Sequence, residues 1–334
     1  MITLLICSVP AGSLQAQGDE LCTLAYSRIA IDSSGILTAL TGNRSGLVRG
    51  TPWQLRSVGP DVMMTRFTLT PQGKLFATGG GDLYRLDSDS VWTRLPEGDI
   101  SLMGADGSGI LYGVAPIAMD STGVYRSTDE GVSWELRSVA GEWPSHYFTV
   151  SPNGDLYAKL GSSSADIIIS RDGGATWQAP ESWPGDNTIR VIHFDADGTP
   201  IAASGYLSLF YRDSTGTWRE PPRTSRLHMW AFAEVPESAG TDRGGDLYAC
   251  NGIGDIVRST DRGATWELLI YGGADYPTGA VNDLAADREF LYVATENGLW
   301  SLHHENLTFE QCGEISGVED SEFESENVLR PSLR

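Results

Sequence analysis

One eight-residue pattern decides the fold of this chain, and its clearest copy reads Ser170-Arg-Asp172-Gly-Gly174-Ala-Thr176-Trp177. Two further copies read Ser127-Thr-Asp129-Glu-Gly131-Val-Ser133-Trp134 and Ser259-Thr-Asp261-Arg-Gly263-Ala-Thr265-Trp266. The glycine supplies backbone conformations that a Cβ would forbid, and the aspartate carboxylate is placed to accept hydrogen bonds from amides of its own turn. The pattern therefore predicts a tight turn between two strands, with the tryptophan opening the second strand.

Tryptophans that follow a small turn recur along the chain at a nearly constant interval. They are Trp53, Trp92, Trp134, Trp177, Trp218 and Trp266, at steps of 39, 42, 43, 41 and 48 residues, and one further step of 43 reaches Phe309. This period is typical of a four-stranded propeller blade. The sequence thus predicts an all-β fold, a seven-bladed β-propeller of four-stranded antiparallel blades.

The unit around Trp177 shows the order of elements within one blade. Residues 147–150 read as a first strand, 151–154 as a tight turn, 155–158 as a second strand and 166–169 as a third. Short strands bounded by Gly, Asn, Asp and Pro indicate hairpins, and no long stretch shows helical periodicity. In such a blade the turn between the first two strands and the turn before the tryptophan share one face. The linkers between blades lie on the opposite face.

The three copies resemble the Asp-box (BNR) repeat of sialidase-like β-propellers, and the resemblance covers about residues 28–313. Two more units keep part of the pattern, in 213–218 and 87–92. Some Asp-box proteins are glycosidases, which suggests a catalytic role for the aspartates. However, the box recurs in blades that share no site, so we expect its Ser, Asp, Gly and Trp residues to be structural.

The charge of the chain excludes one class of partner and disfavours another. Lys+Arg is 23 and Asp+Glu is 44, for a formal net charge of −21. Such a chain repels a phosphate backbone, which excludes nucleic acid, and an anionic membrane surface is disfavoured for the same reason. We expect a monomer.

The two ends of the chain differ from the repeats between them. Residues 1–17 read as a secretory signal peptide cut near Ala16, and their apolar run is shorter than the roughly 20 residues of a spanning helix. The sequence therefore predicts no membrane insertion and a secreted, periplasmic or cell-surface protein. Residues 18–313 form the propeller, and 314–334 read as an acidic tail or a truncated linker.

The linkers between blades carry the candidate ligand-binding residues, because loops on a rigid scaffold are where binding sites usually lie. Aromatic side chains there stand beside charged ones, which suits a sugar or a peptide. The alternative is that these aromatic residues pack the linkers onto neighbouring blades. The candidates are Trp143, His146, Tyr147, Trp183, Asp186, Arg226, His228, Trp230 and Tyr276.

Tests for an enzyme mostly fail on this sequence. A sialidase-like site needs three arginines, and Arg28, Arg66 and Arg190 stand at the starts of first strands, but the Arg-Ile-Pro signature is absent. Such enzymes usually have six blades, and Asp-box xyloglucanases use two propellers with a cleft between them. The pair His303-His304 has no companion metal-binding motif, and no phosphate-binding loop occurs. We predict no metal site and no cofactor.

The resemblance implies a non-enzymatic binding or scaffolding module for a glycan, peptide or protein partner. In blade count and repeat type the chain is similar to the photosystem II assembly factor family. The alternative is a glycoside hydrolase of the sialidase-like superfamily.

Four cysteines bear on how the ring closes. Cys7 leaves with the signal peptide, and Cys250 is expected to be buried and unpaired. Cys22 precedes the first strand of blade one, and Cys312 lies at the last strand of blade seven. An exported protein meets an oxidising environment, so we predict a Cys22–Cys312 disulfide, with two unrelated thiols as the alternative.

Overall fold

A computed structural model of the chain describes residues 26–42, 46–51, 54–60, 62–88, 91–96, 99–119, 121–140, 148–159, 167–182, 189–204, 209–222, 229–237, 243–271 and 280–311. These residues form seven antiparallel sheets, and each sheet is one blade built from consecutive strands. No helix occurs among the residues described. The all-β, seven-bladed propeller predicted from the tryptophan spacing is therefore confirmed.

The strands of the first four blades are β1 Tyr26–Ile31, β2 Leu37–Thr41, β3 Leu47–Thr51, β4 Gln54–Ser57; β5 Met64–Leu69, β6 Leu75–Gly79, β7 Asp82–Ser88, β8 Val91–Arg94; β9 Ser101–Ala105, β10 Leu111–Ala118, β11 Ser121–Ser127, β12 Glu135–Ala140; and β13 Phe148–Val150, β14 Leu156–Lys159, β15 Ile167–Ser170. The strands of the last three blades are β16 Ile189–Phe194, β17 Pro200–Ser204, β18 Leu209–Arg212, β19 Trp218–Arg219; β20 Met229–Glu234, β21 Leu247–Asn251, β22 Ile256–Ser259, β23 Glu267–Ile270; and β24 Val281–Ala286, β25 Phe290–Thr295, β26 Gly298–His303, β27 Phe309–Gln311.

Blade four differs slightly from the other blades. Its sheet has three strands, β13 to β15, and the fourth-strand position is held by a single bridge between Ile169 and Gln178. This bridge directly follows Trp177, where the sequence predicts the fourth strand to begin.

The first strand of each blade lies innermost and lines the central channel. First strands of successive blades contact one another, as in the pairs β1 with β24, β20 with β24, and β5 with β9. A side chain near the start of any first strand is thereby brought close to its counterparts in the other blades, whatever their separation along the chain.

A β-bulge recurs near the start of the first strand. In six blades the pairing with the second strand skips one residue, at Ser27, Thr65, Met103, Arg190, Trp230 and Asn282. A bulge bends the strand and re-aims a side chain. The recurrence therefore sets a common geometry at one mouth of the channel.

The hydrophobic core lies between blades rather than within them. At the seam between blades seven and one, Tyr26 and Leu37 pack with Tyr292 and Leu299 in one buried cluster. All four strands of blade seven come from residues 281–311, and Tyr26 belongs to β1, where it pairs with Thr41. The seam is thus closed by packing of two complete blades.

Of the cysteine predictions, the structure tests the one for Cys250. Cys250 is buried and unpaired, as expected, and burial raises the pKa of its thiol. Cys22 and Cys312 lie outside the described residues, so their disulfide stays a prediction. Within the part of the chain that is described, no helix has the length and apolar character needed to cross a membrane.

Candidate functional site

The Asp-box turns are held together by their own side chains. In blade four the Asp172 carboxylate accepts the backbone N–H of Thr176 at 2.9 Å and its hydroxyl at 2.6 Å. The Ser170 hydroxyl donates to the same carboxylate at 2.8 Å and accepts the N–H of Gly174 at 2.8 Å. These bonds, first among them the one from the Thr176 hydroxyl, lower the pKa of Asp172 to about 2. The Asp172 carboxylate thus accepts its hydrogen bonds from groups of its own turn.

The box tryptophans join neighbouring blades. The indole N–H of Trp177 donates to the Gly174 carbonyl at 3.2 Å and to the hydroxyl of Ser138, in blade three, at 3.1 Å. Trp134 and Trp266 make the same bond to the carbonyl of their own box glycine, at 3.1 and 3.0 Å. These contacts support a structural role for the box.

The face that carries the Asp boxes is occupied by contacts between blades. Arg262, in the box of blade six, donates to Asp197 in the first turn of blade five at 2.7 Å. First turns of adjacent blades also meet, since Gly107 N donates to the Pro152 carbonyl at 2.8 Å. The boxes and the first turns therefore share one face, as the sequence predicts, and contacts between adjacent blades cross that face.

A cavity of about 360 Å³ opens on the opposite side, where the linkers enter the first strands. It is lined by residues near the starts of β1, β16, β20 and β24, so four blades contribute to it. The lining residues are Ser27, Arg28, Val191, Ile192, His193, Trp230, Ala231, Phe232, Asn282 and Asp283. We treat this cavity, called here the channel site, as the candidate functional site.

Arg28 and Asp283 carry the charges of the channel-site lining, and Arg66 of blade two lies near enough to Arg28 for their charges to interact. Burial raises the pKa of Asp283 to about 6, although the charge of Arg28 and the amides of Ile29 and Leu284 act in the opposite direction. In blade two, burial and the nearby charge of Arg28 lower the pKa of Arg66 to about 10. Arg28 therefore has an acidic neighbour in Asp283 and a cationic neighbour in Arg66.

Neither arginine forms an ion pair within the described part of the chain. The hydrogen bond of the Arg66 guanidinium there goes to the Sδ atom of Met103 at 3.0 Å, and a thioether is a weak acceptor. Some other arginines of the protein are paired: Arg49 lies 2.7 Å from Asp32, and Arg258 lies 2.7 Å from Asp246. Arg28 and Arg66 have no such carboxylate contact among the described residues.

A neutral histidine forms part of the lining. The His193 ring stacks on Phe232 with 5.6 Å between centroids, and burial lowers the pKa of His193 to about 4. Its Nε2 atom is buried and has no hydrogen-bond partner among the described residues. The ring therefore offers an uncharged polar atom rather than a third cation.

The predicted ligand-face residues divide into two groups. Trp230 lies at the channel site, with 48% of its surface exposed. The others, Trp143, His146, Tyr147, Trp183, Asp186, Arg226, His228 and Tyr276, lie outside the described residues. Arg28 and Arg66 can be identified from the sequence as residues at the starts of first strands, whereas no local motif marks His193 and Asp283. Within the described chain no group of three or more His, Cys, Asp or Glu side chains is arranged to hold a metal ion.

Comparison with known sequences supports the repeat assignment. Residues 168–179 match the family described as BNR/Asp-box repeat. The photosystem II assembly lipoprotein Ycf48 of Prochlorococcus marinus (strain MIT 9312) is 24% identical over 193 residues, which are 54% of this chain and 52% of that protein. The chain thus spans about half the length of the curated relative it matches.

Comparison with solved structures shows the fold. A structure described as YCF48 bound to D1 peptide aligns with a TM-score of 0.62 at 14% identity, covering 83% of this chain and 91% of that one. The GH74 xyloglucanase from Xanthomonas campestris also aligns with a TM-score of 0.62, at 16% identity, covering 84% of this chain and 52% of that one. Binding proteins and hydrolases therefore share this architecture.

Proposed function

We propose that this chain is a non-enzymatic binding module that holds a peptide or protein partner by a carboxylate at the channel site. The observation that carries the proposal is the unpaired Arg66 guanidinium beside Arg28. A partly buried cation without a counter-ion is unfavourable, and a second cation next to it adds repulsion. A bound carboxylate relieves both effects, and arginine suits it because its planar fork donates two parallel hydrogen bonds.

The overall charge of the chain strengthens this interpretation. With a net charge of −21, the protein repels anions at long range, so two adjacent cations at one mouth of the channel single out that position. The Asp283 carboxyl lies near Arg28 and partly balances its charge. A ligand carboxylate completes the balance at Arg66.

A peptide is favoured over a neutral glycan by the chemistry of these groups. Every peptide with a free C-terminus or an acidic side chain carries a carboxylate, whereas a neutral sugar does not. The solved Ycf48 structure holds a D1 peptide, which supports the same kind of ligand on the same fold. The curated relative is named a lipoprotein, which supports export of this chain as well.

A glycoside hydrolase is the less favoured function. Hydrolysis of a glycosidic bond ordinarily uses a pair of carboxyl groups on either side of the bond. The described lining of the channel site contains one carboxyl, that of Asp283. The likeness to the xyloglucanase concerns the fold and brings no catalytic pair with it.

Binding of two small probes tests the proposal. The probes are fluorescein-labelled tetra-alanine with a free C-terminal carboxylate and the same peptide as its C-terminal amide, measured by fluorescence anisotropy. We expect the carboxylate form to bind at least about tenfold more tightly, since bonds to a charged group contribute roughly 1.5–3 kcal/mol. Arg66→Gln should remove this preference.

The matched control is Arg94→Gln, because Arg94 is an exposed arginine paired with Asp82 on an outer strand. It should leave binding unchanged. Equal affinity for acid and amide, or an Arg66→Gln variant that binds like the parent, would refute the carboxylate site. Release of a chromophore from a panel of aryl glycosides, lost in Asp283→Asn, would favour the hydrolase instead.

A further inference from the structure

We propose, resting on the function above, that Trp230 is a specificity-determining platform in the channel site. It selects a peptide in which a ring-bearing residue, aromatic or proline, lies next to the bound carboxylate. The inference comes from where Trp230 is placed, how it is fixed, and which part of it is left exposed.

Trp230 occupies the recurrent bulge of the first strand. Met229 pairs with Asn251 and Ala231 with Cys250, so Trp230 is the skipped residue. In the other bulged first strands the skipped residue has no aromatic ring: Ser27, Thr65, Met103, Arg190 and Asn282. Among these six bulged first strands of the described chain, that of blade six is the one with an aromatic residue at the bulge.

The ring is fixed from two sides. Its indole N–H donates to the Val281 carbonyl of blade seven at 3.0 Å. The ring lies against Gly252, where an added Cβ would come within 2.1 Å of a ring carbon. Only glycine allows so close an approach of ring and backbone.

Side-chain hydrogen bonds of Asn251 fix the loop that supports the Trp230 ring. The Asn251 side-chain oxygen accepts the N–H groups of Ile253 at 3.1 Å and Asp255 at 2.9 Å. Its amide nitrogen donates to the Asp255 carboxylate at 2.8 Å. The platform is thus formed before a ligand arrives, which lowers the entropic cost of binding.

What remains exposed on Trp230 is apolar. Its donor is already satisfied, and 48% of the residue is still open to solvent. Ile253, next to Gly252 in the loop that supports the ring, is 71% exposed. The box tryptophans, by contrast, pack between blades. An exposed, fixed aromatic face in the same cavity lining as the Arg28 cation suits a ligand with a ring on one side and a carboxylate on the other.

A peptide series tests the platform. The probes are labelled tetra-alanine acids with no ring, or with one phenylalanine or one proline at the last, second-last or third-last position. We expect at least one position to improve affinity about tenfold over tetra-alanine, as a stacked ring adds to area burial. The gain should vanish in Trp230→Ala and largely return in Trp230→Phe, which keeps an aromatic face.

Two controls keep a negative result informative. Tyr271→Ala removes another exposed aromatic, 62% open and outside the cavity lining, and it should keep the gain. Thermal unfolding of each variant shows that loss of the gain is not loss of the fold. A gain that persists in Trp230→Ala, or no gain at any position while Arg66-dependent binding of tetra-alanine acid remains, would overturn the platform alone.

Failure of the proposed function has a different signature. If no peptide acid binds in an Arg66-dependent way, the carboxylate site itself is wrong. Binding of cello- or xylo-oligosaccharides that depends on Trp230, without any peptide binding, would assign the ring to a sugar and overturn both proposals.

Discussion

The Asp283 carboxylate of blade seven accepts the backbone N–H of Ile29 of blade one, with 3.1 Å between Oδ2 and N. The preceding residue, Asn282, donates its side-chain amide to the Tyr26 carbonyl at 2.7 Å. Two consecutive residues of β24 therefore bind the last blade to the first across more than 250 positions of chain. Both residues also line the channel site, so the seam of the ring and the candidate site share their polar groups.

Asp283 should make the folded protein less stable as the pH rises. Its pKa is about 6 in the fold and about 3.9 in an unfolded chain. The native state therefore holds the proton to higher pH, and stability falls between about pH 4 and pH 6 and stays lower above that range. Asp283→Asn keeps an acceptor for the Ile29 N–H and cannot ionise. It should exceed the parent by about 1–3 kcal/mol at pH 7.5, measured by urea unfolding.

His193 acts in the opposite direction and must be separated from Asp283. Its pKa is about 4 in the fold and about 6.5 unfolded, so it lowers stability as the pH falls from 6.5 towards 4. The difference between Asp283→Asn and the parent at each pH cancels the histidine contribution. A difference that is independent of pH, or an Asp283→Asn variant less stable than the parent at pH 7.5, would contradict the assignment.

The Asp box should lose more stability through its tryptophan than through its aspartate. Trp177 packs edge-on against Phe148, with 6.1 Å between ring centroids, and contacts the cluster of Tyr112, Val124 and Leu156. Trp177→Ala should cost about 3 kcal/mol. Asp172 is exposed and its bonds are local, so Asp172→Ala should cost about 1 kcal/mol. Thermal or urea unfolding measures both, and an Asp172→Ala variant that keeps its stability but loses peptide binding would argue for a functional box.

The seven blades were predictable because the box is local. Gly174 and Trp177 stand three residues apart and meet directly, so the signal that places them together is contained in the sequence pattern itself. The channel site has no such signal. Ile29 and Asp283 are 254 positions apart, and His193 lies in a strand that looks like its neighbours. From the sequence, Arg28 and Arg66 can be recognised only as residues at equivalent starts of first strands. That neither has a carboxylate partner among the described residues follows from the three-dimensional structure of the closed ring.

Gly252 should be essential to the position of the Trp230 ring. An alanine Cβ would lie about 2.1 Å from a ring carbon, so the ring or the loop must move. Gly252→Ala should lower stability by about 1–3 kcal/mol and shift tryptophan fluorescence to longer wavelength as the ring leaves its support. Gly46→Ala is the matched control, because a Cβ there meets nothing within 4 Å. Unchanged fluorescence and stability in Gly252→Ala would show that the close approach is not needed.

The residue after the box aspartate should prefer glycine to alanine, the reverse of the usual order for stability. It has a left-handed backbone in all three full boxes, with φ of 61° at Glu130, 69° at Gly173 and 55° at Arg262. A side chain in that conformation costs roughly 1–2 kcal/mol. Glu130 offsets this cost by binding Lys74 and Arg85 of blade two, and Arg262 offsets it by its 2.7 Å bond to Asp197. Exposed ion pairs nevertheless contribute at most about 1 kcal/mol.

Two substitutions of Glu130 separate the ion pairs from the backbone strain. Glu130→Ala loses the ion pairs and keeps the strain, whereas Glu130→Gly loses the ion pairs and relieves the strain. Urea unfolding should therefore rank Glu130→Gly above Glu130→Ala by about 1 kcal/mol, with the same order at position 262. Alanine equal to or better than glycine at both positions would mean that the left-handed turn does not persist in solution.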